Sequence, residues 1–99
     1  MIVIAGRVAV RPAKREAALR AARALAEATR AEAGCRQYAF YADLEDPNAF
    51  FLFEEWETEE ALAKHFQTEH LRAFQQQVPE LVAGPPSIRR YVVASASAM

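Results

Sequence analysis

The amino-acid sequence predicts one α+β domain of the ferredoxin-like βαββαβ type, built on a four-stranded antiparallel sheet. Its 99 residues are enough for a single domain. Patterns typical of strands and helices follow one another in the order strand, helix, strand, strand, helix, strand. The third strand is apolar on both faces, as in a strand that lies at the centre of a sheet and is covered on both sides.

The first strand is predicted from Ile2 to Arg11, where β-branched residues alternate with others at a period of two. Pro12 ends it, because proline cannot donate to a strand ladder but suits the first turn of a helix. An alanine-rich helix is then expected from Pro12 to Ala33. Gly34 follows where the end of a helix favours a residue that tolerates positive φ.

A hairpin follows the first helix. Its strands are predicted from Cys35 to Asp43 and from Phe50 to Glu57, with a turn of Asp, Pro and Asn residues between them. The apolar residues of the third strand divide between two faces, with Phe50, Leu52 and Trp56 on one and Phe51 and Phe53 on the other.

The second helical region is predicted to be broken in two. Thr58 and Thr68 can each cap a helix, and each is followed by acidic residues that suit a helix N-terminus. The break is therefore expected around Gln67-Thr68. Gly84-Pro85-Pro86 ends the region, and the last strand is predicted from Ile88 to Ala94.

The helices of this topology can cover only one face of the sheet. The third strand, apolar on both faces, needs a second cover. The simplest cover is the same face of another copy related by a two-fold axis, so a homodimer is expected.

Composition excludes several classes of partner. Twelve basic and thirteen acidic residues give a net charge of −1, which does not provide the basic field needed for nucleic acid or an anionic membrane. No stretch is long and apolar enough to cross a bilayer. The N-terminus lacks the order of regions found in a signal peptide, and the single cysteine fits a reducing compartment, so a cytoplasmic location is expected.

Several motifs together resemble the antibiotic biosynthesis monooxygenase domain family, over about residues 2–93 of a single domain that spans residues 1–99. The most specific part is the Glu-x-Trp end of the third strand, followed by two histidines five residues apart. The motifs are Gly34-Cys35-Arg36-Gln37-Tyr38, Asp46-Pro47-Asn48, Phe51-Leu52-Phe53-Glu54-Glu55-Trp56, Ala63-Lys64-His65, Thr68-Glu69-His70 and Leu71-Arg72-Ala73-Phe74.

The resemblance implies a dimeric α+β barrel, in which two ferredoxin-like sheets pack face to face. It also implies a pocket between the sheet and the helices that, in several members, oxygenates polycyclic phenols or quinols without metal or flavin. The family is similar to heme-degrading monooxygenases, to an isomerase of a small signalling sugar derivative, and to members without an assigned reaction. The resemblance therefore constrains the fold of this chain better than the reaction that it catalyses.

Two departures from the family pattern matter. Heme-degrading relatives place a histidine iron ligand in the later helix and an asparagine in the first strand. This sequence has Gln75-Gln76-Gln77 and Ala5-Gly6-Arg7 there, so heme degradation is disfavoured. Many relatives also carry proline where this chain has Glu69, which puts a carboxylate beside His70.

His65 is the candidate catalytic base, because it shares the apolar face of its helix with Leu62 and Phe66 and because histidine ordinarily titrates near neutrality. The alternative is a core histidine bonded to a backbone carbonyl. His70, which follows a cap, is either solvated or a second residue of the site. We expect His65 to be the less exposed of the two and to face a cavity. No third ligand at useful spacing accompanies the two histidines, so no metal site is predicted.

The other candidate binding residues are aromatic, and each of them could instead be ordinary core packing. They are Trp56, Tyr38, Phe53, Phe66 and Phe74. Glu54 shares a strand face with Trp56 and is expected to lie either at the open end of the strand or buried and paired with Arg7 or Arg90, a structural role more than a catalytic one. Cys35 is interpreted as a small apolar residue and not as a nucleophile.

The leading functional hypothesis is a cofactor-free monooxygenase that acts with O2 on a small aromatic or quinol-like substrate, with His65 as the base. One alternative is an isomerase or lyase of a small carbonyl compound. The other is a non-catalytic dimer that binds a small hydrophobic molecule.

Overall fold

The chain forms four strands and three helices in a computed structural model that describes residues 1–99. In chain order they are β1 (Ile2–Ala9), a 3-10 turn (Pro12–Lys14), α1 (Arg15–Arg30), β2 (Cys35–Ala42), β3 (Ala49–Trp56), α2 (Glu59–His65), α3 (Glu69–Leu81) and β4 (Ser87–Val92). The sheet is antiparallel with strand order β2-β3-β1-β4. The predicted α+β ferredoxin-like fold, with β1 and β3 at the centre, is confirmed.

Local signals fixed most element boundaries. Thr58 Oγ1 accepts a hydrogen bond from Ala61 N at 3.1 Å, and Thr68 Oγ1 accepts one from Leu71 N at 3.4 Å, so both predicted caps are present. Gly34 has φ of 85°, as predicted. The helix α1 was expected to reach Ala33 but ends at Arg30, and the chain turns over the next four residues.

The two faces of the sheet differ in burial. On β3, Phe50, Leu52 and Trp56 are buried against the helices, whereas Phe51 points to the other face and is 45% exposed. We call this second face the open face. Its apolar side chains include Val3, Ala5, Tyr41, Phe51, Phe53 and Tyr91.

The core beneath the helices consists of two separate clusters of buried residues. The larger surrounds Trp56 and Leu62, and the smaller surrounds Val10 and Phe50. β4 takes no part in either cluster and is exposed along its whole length. It lies close against β1 at Gly6, which has no side chain. A Cβ at that position would come within 2.2 Å of Ser87 O. No helix combines the length and apolar character required to cross a membrane.

Candidate functional site

Two histidines converge on one carboxylate. Glu32 Oε2 lies 2.8 Å from His65 Nδ1 and 2.6 Å from His70 Nε2. The His65 side chain is 2% exposed and that of His70 is 28% exposed, so the expected order of burial is confirmed. His65 is bonded to this carboxylate, and not to a backbone carbonyl as in the alternative considered from the sequence.

Each member of the cluster comes from a different element. Glu32 lies in the turn between α1 and β2, where Cys35 N donates to its carbonyl at 3.2 Å. His65 is the last residue of α2, and His70 is the second residue of α3. Thr68 fixes the junction between the two helices, because its hydroxyl donates to His65 O at 2.7 Å while it caps α3.

The shared carboxylate determines the protonation pattern of the rings. A carboxylate in its ionised form only accepts hydrogen bonds, and these two contacts then require a proton on His65 Nδ1 and one on His70 Nε2. In a neutral His65 ring the lone pair then resides on Nε2. A carboxylate that orients a histidine in this way leaves the second ring nitrogen free to accept a proton.

Aromatic rings surround His65. The ring centroids of Trp56, Tyr38 and Phe66 lie 4.8, 5.6 and 5.8 Å from that of His65. Trp56 and Tyr38 are buried, whereas Phe66 is 59% exposed. The His65 ring is therefore held firmly on two sides, and solvent reaches the cluster mainly from the side of His70.

Glu54 is a buried carboxyl beside this cluster. It accepts a hydrogen bond from Trp56 Nε1 at 2.8 Å. Burial raises its pKa to about 7, the Trp56 hydrogen bond opposes the rise, and the nearby charge of Glu32 adds to it. The expected pairing with Arg7 or Arg90 is wrong, because Arg7 binds Asp46 and Arg90 binds Glu59.

Two other ionisable groups near the cluster are held neutral. Burial and the charges of Glu32 and Glu54 raise the pKa of the Cys35 thiol to about 11. Burial also raises the pKa of Tyr38. A thiol protonated at neutral pH is a poor nucleophile, in agreement with the interpretation of Cys35 from the sequence.

A cavity of about 780 Å³ lies between α1, α3 and the sheet, and residues of both core clusters line it. Its lining is mostly apolar, with Arg15, Arg23, Glu27 and Arg30 along the α1 side. Phe40 and Phe74 close the end nearest the histidine cluster, with ring centroids 6.3 Å apart. His65 is not among the lining residues, so the expectation that it faces a cavity between the helices and the sheet is wrong for this cavity. The Tyr38 ring packs between the Phe40 and His65 rings, with centroids 6.0 and 5.6 Å away.

The structure therefore divides the residues selected from the sequence. His65, His70, Trp56 and Tyr38 come together, with Phe66 at their edge. Phe74 lines the cavity, and Phe53 lies on the open face of the sheet, away from both.

Sequence reasoning missed Glu32. The predicted helix extends to Ala33, so Glu32 falls inside it and nothing in the pattern singles it out. With it, three potential ligand atoms lie within 4.8 Å of one another, whereas the sequence had indicated no third ligand. The only local signal was its position two residues before Gly34, where the helix had to end.

Comparison with known proteins gives consistent results. A family profile described as "Antibiotic biosynthesis monooxygenase" matches residues 1–77. The chain is 39% identical over 93 residues to the uncharacterised protein sll1783 of Synechocystis sp., a match that covers 94% of this chain and 63% of that protein. It is 34% identical over 90 residues to YcnE of Bacillus subtilis, described as a candidate monooxygenase, covering 91% of this chain and 95% of YcnE.

Solved structures agree with this result. Rv0793 from Mycobacterium tuberculosis superposes with a TM-score of 0.90 at 28% identity, over 98% of both chains. The chain thus spans less than two thirds of the length of sll1783 and nearly all of YcnE and Rv0793.

Proposed function

Because the chain belongs to the antibiotic biosynthesis monooxygenase family, we propose that it is a monooxygenase that uses O2 to oxidise a quinol or a polycyclic phenol. The observation that carries the proposal is the pairing of Glu32 with His65 beside Trp56 and Tyr38. This arrangement supplies an oriented base within an aromatic, largely dry environment, which is what the ionisation of a phenol requires.

The proposed reaction needs no external reductant. His65 Nε2 takes the proton of a substrate hydroxyl, and the resulting anion is electron-rich enough to transfer an electron to O2. For a hydroquinone, one oxygen atom ends in a new ring hydroxyl of the product quinone and the other leaves as water. The substrate supplies all four electrons that reduce O2, and the two hydrogen atoms of the water also come from it.

The cavity is the proposed binding site. Its volume of about 780 Å³ and apolar lining suit a flat molecule of several rings. A bound substrate would contact Phe40 and Phe74 first. Its reacting end reaches His65 if the partly buried Phe40 ring and the Tyr38 ring behind it both move aside.

We also propose that the open face forms a homodimer. Tyr41 and Phe51 are 54% and 45% exposed there, beside the half-buried Phe53. A two-fold contact would cover the second face of β3, and stable interfaces of this kind bury on the order of 1,200–2,000 Å² or more.

We propose that the protein is located in the cytoplasm. The unpaired thiol of Cys35 is compatible with that reducing compartment.

One observation favours a second candidate function. His65 does not line the cavity, so the same pocket could serve a protein that binds a small hydrophobic molecule without converting it. The two candidates share the ligand class and differ in whether His65 reaches it.

Oxygen uptake by metal-stripped protein, measured with a panel of hydroquinones and anthrones, separates these functions. The monooxygenase proposal requires uptake without added flavin, and His65→Ala should lower turnover by about 10²–10⁴-fold. The control is Gln67→Ala, an exposed change in the same helix junction. Ligand binding with no uptake and no product would refute the monooxygenase and support the binding protein.

A further inference from the structure

The cluster of Glu32, His65 and His70 has the composition of a metal site. Two imidazole nitrogens and one carboxylate oxygen, from three different elements, lie within 4.8 Å of one another. This ligand set is found in catalytic zinc sites, where a fourth position stays open. Imidazole ligands favour zinc, nickel, copper or iron, whereas magnesium and calcium prefer oxygen alone.

We infer that these three residues bind one divalent transition-metal ion of the Zn²⁺ class, and that the bound ion excludes the proposed base function of His65. The first part concerns a site additional to the substrate cavity. The second part rests on the proposed function.

Metal binding requires the three ligand atoms to rearrange. Zinc binds nitrogen and oxygen ligands at about 2.0–2.2 Å, which places tetrahedral ligand atoms about 3.3 Å apart. The two histidine nitrogens now lie 2.8 and 2.6 Å from Glu32 Oε2, so each must move away from it by roughly 0.5–0.7 Å. The two nitrogens lie within 4.8 Å of each other and must approach by up to about 1.5 Å. His70 is partly exposed in the first turn of α3, so its ring can rotate and an ion can enter from its side.

The surroundings hold the remaining ligands in place. His65 is buried against Trp56, and Thr68 ties the backbone of His65 to the start of α3. Outer contacts of this kind orient metal ligands and raise affinity. The site thus has one buried histidine, one partly exposed histidine and a carboxylate that already faces both.

Metal binding changes the tautomer of His65. The ion would occupy the lone pair on Nδ1, where the Glu32 hydrogen bond now holds a proton. In the neutral ring that proton transfers to Nε2, so Nε2 can no longer accept a proton from a substrate. Metal occupancy and base catalysis by His65 are therefore mutually exclusive.

Binding is tested on the full chain without substrate. Protein stripped with a chelator is titrated with Zn²⁺ by calorimetry and with Co²⁺ by visible absorption, which reports the coordination geometry. We expect one ion per chain with micromolar or tighter affinity. His70→Ala and Glu32→Gln should each bind at least about tenfold more weakly. Glu69→Gln removes an exposed carboxylate next to His70 and should bind as the parent does.

Circular dichroism identifies any variant that fails to fold, and Glu32→Gln retains an oxygen for the histidine hydrogen bonds. Absence of saturable binding, or equal affinity in His70→Ala, would overturn the metal site.

Oxygen uptake should fall as Zn²⁺ reaches one equivalent and return when a chelator is added. Full turnover by the zinc-loaded protein would overturn the exclusion. Because binding is measured without substrate, a protein that never consumes oxygen still gives a clear result for the site.

Discussion

Replacing Glu54 by glutamine should remove a loss of stability that the parent protein undergoes as pH rises through neutrality. Glu54 is buried, and its pKa of about 7 compares with an ordinary value of 4.5. A carboxyl whose pKa is raised by folding contributes most to stability when it is protonated, below about pH 4.5. That contribution is lost as pH rises through 7, because the charged form is the one that burial penalises.

The shift fixes the size of the effect. Each pKa unit corresponds to about 1.4 kcal/mol, so ionised Glu54 lowers the free energy of unfolding at about pH 8 by on the order of 3 kcal/mol. Glutamine removes the charge and keeps an oxygen for Trp56 Nε1. Its amide NH₂ adds two donors at a buried position where the side chain has only the donor Trp56 Nε1 as a partner, and this subtracts about 1–3 kcal/mol at every pH.

Urea unfolding at a fixed protein concentration measures this difference across about pH 4.5 to 8. The stability of Glu54→Gln relative to the parent should increase by roughly 3 kcal/mol over that range, whatever the constant cost of the amide. Glu57→Gln, an exposed change at the end of the same strand, should show no such trend. A difference between Glu54→Gln and the parent that is independent of pH would refute the reasoning.

The other predictions concern catalysis, the helix junction, assembly and the thiol. In His65→Ala, part of the lost turnover should return as pH rises toward the pKa of the substrate phenol, since the phenol then ionises unaided. A variant whose oxygen uptake does not recover at any pH would contradict this. Thr68→Ala should cost about 1 kcal/mol of stability from the lost cap, seen as a lower urea midpoint, and should lower turnover by misplacing both histidines; unchanged turnover would argue against the base assignment. Light scattering should give about 22 kDa, twice the 11.1 kDa chain, and Phe51→Glu should give the monomer mass; a stable parent monomer would refute the open-face dimer. Cys35 should react more slowly with iodoacetamide than a free thiol at about pH 8, and equal rates would show that its pKa is not raised.

The fold was predictable because its signals are local. The alternation in β1, the double apolar pattern of β3 and the two threonine caps each depend on residues a few positions apart. The break between α2 and α3 followed from Thr68 alone. The end of α1 was less certain, because its last alanines favour a helix while Gly34 only limits how far the helix can extend.

The site was only partly predictable, since it depends on contacts between distant residues. The apolar helical face identified His65 as buried, and the structure agrees. No periodicity relates Glu32 to a histidine 33 residues later. The predicted partner of Glu54 was wrong for a similar reason. The Arg7 side chain lies on the open face, where it binds Asp46, while Glu54 points to the helices.

The carboxylate of Glu32 also bears on how the chain folds. It joins residues 33 and 38 positions further along, with the whole β2–β3 hairpin in between. Closing such a loop costs entropy that only the paired strands can offset. The cluster should therefore assemble after the hairpin has docked on α1. Trp56, buried 4.8 Å from His65, gives a fluorescence signal for that event. Its recovery on refolding should be slower than the appearance of helical circular dichroism.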